Sequence, residues 1–174
     1  MHILLAVLAA AAGIGFWLWR IHMAARAASD LLETADDIRA AVRRFGYRRK
    51  TKGSPLDGIA DARLAAAGIL AAFANMAGGL GRQEIAAIAE ECRRAFQTEV
   101  AEAEQIGAYG RWLVQQSANM DETVRRLARN LETKLTAAEK EQLFGMIERV
   151  ASIDGGGLSD GQRRTLDSLA RQLG

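Results

Sequence analysis

The sequence predicts an all-α chain, and three observations carry that prediction. Alanine supplies much of the 49% apolar content, while aromatics reach only 6%. A single proline and few β-branched runs favour helix over strand. Apolar residues also recur at three- and four-residue spacing along most of the chain, the period of a helix with one buried face. At 174 residues there is room for one globular domain and an appendage.

The appendage comes first. "ILLAVLAAAAGIGFWLW", residues 3–19, is 17 residues without a charge. At about 1.5 Å per residue it reaches roughly 26 Å, just short of a hydrocarbon core. Arg20 can snorkel, and Ile21 and Met23 extend the apolar stretch. Trp17 and Trp19 stand at one end, where amphipathic rings favour headgroups. A cleaved signal peptide needs a basic leader and a small-residue cleavage site. Only Met1 and His2 precede this run, and it ends in Phe-Trp-Leu-Trp. Residues 1–23 are therefore expected to form an uncleaved transmembrane anchor in the lipid bilayer. Between residues 20 and 52 lie nine basic residues against four acidic ones. By the positive-inside rule, the short N-terminus lies outside and the remainder in the cytoplasm. For a bacterial chain this means the inner membrane.

Residues 24–54 are expected to form a helical stalk and a basic linker. Ile21, Ala24, Ala28, Leu31, Ala35, Ile38, Val42 and Phe45 repeat with heptad spacing. That narrow seam can dock on the protein's own domain or pair with a second copy. The small residues Ala9/Gly13 and Ala11/Gly15 would allow the anchor to join a homodimer. "RRFGYRRKTKGSP", residues 43–55, holds six basic residues and no acid, which suits anionic lipid headgroups. With only Phe45 and Tyr47 to stack on bases, no nucleic acid is expected there. Gly53-Ser54-Pro55 marks the domain boundary.

From residue 55 to 174 the chain reads as successive amphipathic helices. The first candidate spans about 57–76. The second places Ile85, Ile88, Ala89, Cys92 and Phe96 on one face. A third, about 98–117, carries Tyr109 and Trp112 as core fillers. The remaining faces are Val124, Leu127, Ala128, Leu131 and Leu135; Leu143, Met146, Ile147 and Val150; and Leu166, Leu169, Ala170 and Leu173. Residues 57–174 carry 14 basic residues against 17 acidic, so the domain itself lacks the charge of a nucleic-acid binder. Glu99, Glu102 and Glu104, like Arg125, Arg126 and Arg129, read as solvated helix faces.

Two segments echo each other. "FANMAGGLGRQEIAAIAEECRR" aligns with "VASIDGGGLSDGQRRTLDSLAR" when one glycine is inserted in the second. Gly78 then pairs with Gly155, Leu80 with Leu158, Glu84 with Gln162 and Ile88 with Leu166. Each copy is a helix, a glycine-rich turn, an apolar plug and a second helix, so the domain is built on a duplicated helix hairpin. This repeated pattern resembles the TerB-like domain of tellurite-resistance proteins. A similar domain follows the single anchor of DjlA-type co-chaperones. The resemblance covers roughly residues 55–174 and implies a compact helical bundle with a non-catalytic role, sometimes credited with binding divalent cations through acidic residues. In the first copy the acidic turn position is Ala77 and Glu84 is kept. In the second Asp154 is kept, and Gln162 replaces the later acid.

The turns also have a purely structural reading. Ser159 with Gln162, and Thr136 with Glu139, make capping boxes. Glu84 stands three residues after Gly81 in the same geometry without a hydroxyl. Gly155–Gly157 allow a left-handed helix end, and Leu80 and Leu158 plug the core. Caps and glycines thus explain the motif without a ligand. Asp154 and Asp160 are the candidate ligands for a divalent cation such as Ca²⁺ or Mg²⁺, offering fewer than the 6–8 oxygens of a tight calcium site. Glu84 joins them only if the two turns meet in space.

Enzyme templates are sparse. The one cysteine, Cys92, and the two histidines, His2 and His22, leave no Cys-His or Ser-His-Asp site and no histidine zinc site in the domain. Cys92 is expected to be a buried, inert thiol. No phosphate-binding glycine loop is present, and no resident cofactor is expected. With Pro55 the only proline, the His-Pro-Asp triplet of a J-domain is absent. The expected function is a non-enzymatic, membrane-anchored binding or scaffolding module with an unidentified protein partner. The alternatives are a J-domain-less adaptor to a chaperone system and a weak divalent-cation-binding regulator.

Overall fold

The computed structural model describes residues 40–42, 54–153 and 155–174. The expected anchor and most of the stalk lie outside these residues. Among the described residues, 40–42 are helical, and from residue 54 onward six helices follow in order: α1 (Ala62–Ala77), α2 (Arg82–Phe96), α3 (Val100–Gln115), α4 (Met120–Arg129), α5 (Ala137–Ala151) and α6 (Asp160–Leu173). No strand occurs among the described residues, so the fold is all-α as the composition predicts. None of these helices is long and apolar enough to cross a membrane.

α1 is the axis of the bundle. Leu64 to Ala74 are buried without a break, and α2, α3, α4, α5 and α6 all pack against it. A helix buried on every side needs apolar residues at every position, which "LAAAGILAAFA" supplies. The alanines and Gly68 keep α1 narrow, so that neighbours approach closely.

The outer helices bury one face each. On α2 the buried residues include Ile88, Ala89 and Cys92, as the periodicity predicts, while Ile85 and Phe96 are half-buried. α3 buries Ile106, Tyr109 and Leu113, and Trp112 is half-buried, its ring 5.2 Å from that of Tyr109. α6 buries Leu169 and Leu173, leaves Leu166 half-buried and turns Ala170 to solvent, so its apolar face is narrower than expected.

Two helix limits differ from the sequence-based expectation. The fourth apolar face, through Leu135, belongs to two conformations. α4 ends at Arg129, and the amides of Asn130 and Leu131 bond three residues back, to Leu127 and Ala128. These tighter turns still bury Leu131. At the start of the domain, residues 54–60 form a non-helical strap instead of a first helical turn, and Asp61 caps α1 by accepting from the Arg63 amide at 2.9 Å.

The strap is stitched to α4. Leu56 and Ile59 are buried. The Asn130 side chain accepts from the Ile59 amide at 2.9 Å and donates to the Leu56 carbonyl at 3.0 Å. Lys134 Nζ donates to the Ile59 and Ala60 carbonyls at 2.8 and 2.9 Å. Arg126 forks onto Asp57, and Arg63 reaches Glu102 at 3.1 Å. Arg126 and Glu102, read from sequence as solvated, therefore tie elements together, while Arg125, Arg129, Glu99 and Glu104 are exposed as expected. Ala41, from the segment assigned to the stalk, is fully buried in the same apolar cluster, with Val42 packed against it.

The strap predicts acid lability. The hydrogen bond from Arg126 holds the Asp57 carboxyl below its ordinary value of 3.8. A carboxyl with a depressed folded-state pKa adds stability above its unfolded pKa and loses it as the pH falls through the folded value. Melting temperature is expected to drop below about pH 4, and Asp57→Asn to lower it at pH 7 while flattening that drop. An Asp57→Asn curve parallel to the parent's at all pH values refutes the assignment.

Candidate functional site

The two glycine corners join α1 to α2 and α5 to α6, and both have the local structure their sequences dictate. α6 opens with a capping box: Gln162 N–H donates to Ser159 Oγ at 3.3 Å, and Ser159 N–H donates to Gln162 Oε1 at 2.8 Å. Thr136 and Glu139 do the same for α5. The Thr136 amide and hydroxyl hold the Glu139 carboxyl below its usual range. At α2 the cap is Gly81, with no side-chain cap bond, and the Glu84 carboxylate occupies the space a Gly81 side chain would fill. Gly79 at φ 130° and Gly155 at φ 76° adopt backbone that L-residues avoid, which lets each chain reverse direction.

Leu80 and Leu158 both pack half-buried against the core, as plugs should. The second corner also reaches the first hairpin. Gln162 is 1% exposed, and its Nε2 donates to the Phe73 carbonyl at 2.9 Å. One amide therefore caps its own helix and ties it to the central one. The corners adjoin around a cavity of about 260 Å³, lined by Ala74, Gly78 and Glu84 on one side and by Val150, Ala151 and Ile153 on the other. The sequence condition for Glu84 to approach the second turn is met.

The two candidate metal ligands are placed differently. Asp154 lies outside the described residues. Asp160 opens α6 with its side chain 89% exposed, 4.0 Å from Arg163, and does not line the shared cavity. Among the described residues no three His, Cys, Asp or Glu side chains converge as a metal-binding group.

The strongest polar link between the hairpins escaped the sequence reading. Glu91 on α2 is 5% exposed. Arg149 on α5 donates to it through Nε at 3.0 and 3.1 Å and through Nη2 at 2.9 Å, and Arg94 stands 3.4 Å away. The hydrogen bond to Glu91 raises the Arg149 pKa. Glu91 lies three residues after Ile88 and next to Cys92, within the buried arc of α2. An acid inside an apolar arc was the available signal.

Cys92 is fully buried, as expected. Burial first, and the neighbouring Glu91 charge second, push its thiol up to about 12. It is protonated at neutral pH and poorly suited to act as a nucleophile or metal ligand.

These features equip the domain to hold a rigid shape and present surfaces: paired corners, inter-hairpin bonds and a neutral buried thiol. Comparison with family models, with curated proteins and with solved structures finds no match.

Proposed function

We propose that the protein is a non-enzymatic, membrane-anchored binding or scaffolding module whose helical domain, of the TerB-like class, faces the cytoplasm at a bacterial inner membrane. The observation that carries this reading is the duplicated hairpin, with its two glycine corners side by side and Gln162 of the second copy bonded to Phe73 of the first. Such a domain has a fixed shape and a charged exterior, the properties of a docking platform. The uncharged residues 3–19 and the basic excess after them support the anchor and its orientation. Following the resemblance, the module serves envelope stress or tellurite and metal tolerance, through a protein partner.

The full chain is expected to stay with membranes after carbonate extraction, and a reporter fused after Gly174 to behave as cytoplasmic. Alkaline phosphatase activity from that fusion would overturn the orientation. Affinity purification from solubilised membranes is expected to recover a specific protein. Recovery of background alone under several growth conditions counts against a scaffold.

A further inference from the structure

Between α4 and α6 lies an open cleft of about 440 Å³, within the size range that takes a small organic molecule. Its floor is apolar and closed by Met76, Val124 and Leu169, the last two 2% and 1% exposed. Two buried polar residues also line it, and both are engaged. Gln162 is bonded to Ser159 and Phe73, and Thr165 donates to the Asp121 carboxylate.

The rim is different. Arg164 and Ser168 stand one turn apart on the cleft-facing side of α6, both exposed. Among the described residues neither side chain makes a hydrogen bond or ion pair. Arg125 approaches from α4 and is shared with Glu122, one turn before it. The lining holds two guanidinium groups and one carboxylate, and that carboxylate already accepts from Thr165. What remains unused on the rim is donor capacity: a forked guanidinium and a hydroxyl over an apolar floor. A guanidinium fork matches the paired oxygens of a phosphate, and the floor matches a short hydrocarbon body.

We propose that the α4–α6 cleft binds a phosphomonoester carried on a short apolar body. Arg164 and Arg125 hold the phosphate, Ser168 donates to it, and Val124, Leu169 and Met76 receive the apolar part. The site does not depend on the anchor. The same chemistry is offered by a soluble organic phosphate and by the headgroup of phosphatidic acid.

Phenyl phosphate titrated into the full chain in detergent, followed by calorimetry at low salt, tests this. Saturable binding is expected, weakened about tenfold by Arg164→Gln and by a smaller factor by Ser168→Ala. Arg163→Gln, at an exposed neighbour outside the lining, is expected to leave the affinity within about twofold, as for surface changes away from a contact. Circular dichroism shows that each variant is folded. In nanodiscs containing phosphatidic acid, an Arg164-dependent loss of phenyl phosphate binding identifies the headgroup as occupant. Retained binding identifies a soluble ligand, and both outcomes support the site. No saturable heat up to about 10 mM, near the weak end of measurable affinity, overturns it, as does equal weakening by Arg163→Gln and Arg164→Gln.

Discussion

Replacing Gly110 with alanine is expected to destabilise the domain by about 3 kcal/mol, a fall of roughly 10 °C in melting temperature. The added Cβ would lie 2.6 Å from the Ala67 carbonyl oxygen and 2.8 Å from its carbon. Both atoms belong to the backbone of α1, so no side-chain rotation relieves the overlap. α1 and α3 would have to separate along the domain's central contact. In isolation the same change favours a helix by about 1 kcal/mol, so the steric cost must exceed the net loss. Two other helical glycines grade the effect. At Gly68 the new atom would meet Leu127 Cδ1 at 2.7 Å and Leu113 Cδ1 at 2.9 Å, methyl groups that can rotate away, so an intermediate loss is expected. At Gly107 the nearest atom is the Ala89 nitrogen at 3.5 Å, an ordinary contact, and the helix-propensity gain is expected to make that variant neutral or slightly more stable. Chemical denaturation of the three variants checks the order. A Gly110→Ala protein as stable as Gly107→Ala would show that the close approach of α1 and α3 is not what holds them.

What sequence could disclose in this domain was what is settled within a few residues. The capping boxes at Thr136 and Ser159 were readable because donor and acceptor lie three residues apart. The buried face of α2 was readable because its period is that of a single helix. The position of α1 at the centre was not, since eleven consecutive buried residues have no polar face and leave no periodic signal to orient them. The end of α4 was missed for a related reason. Leu131 and Leu135 continue the apolar spacing, but Asn130 spends its side chain on the strap, 71 and 74 residues earlier in the chain. For the candidate site, the corners and plugs were legible as a repeat. That they adjoin, that Gln162 bonds to Phe73 and that α4 and α6 enclose a cleft are all consequences of long-range packing, which no local pattern encodes.

The Glu91–Arg149 pair lets that long-range packing be measured, because its two ends sit in different surroundings. The Glu91 side chain is 6% exposed and that of Arg149 is 54% exposed. Arg149→Met therefore removes the partner of a buried carboxylate and leaves that charge with Arg94 alone, at 3.4 Å. The expected loss is about 2 kcal/mol, below the 3–5 kcal/mol of a wholly buried pair because Arg94 and solvent compensate in part. Glu91→Met leaves Arg149 free to swing into water and adds apolar volume to the buried arc of α2, so its cost is expected to be smaller, about 1 kcal/mol or less. The double variant is expected to be more stable than Arg149→Met alone, since it no longer holds an unpaired charge between α2 and α5. In a double-mutant cycle this appears as a coupling of about 1–2 kcal/mol. Additive losses would mean that the two side chains contribute by packing rather than as a pair. A larger loss from Glu91→Met than from Arg149→Met would mean that the buried acid serves the fold through a contact other than the guanidinium it faces.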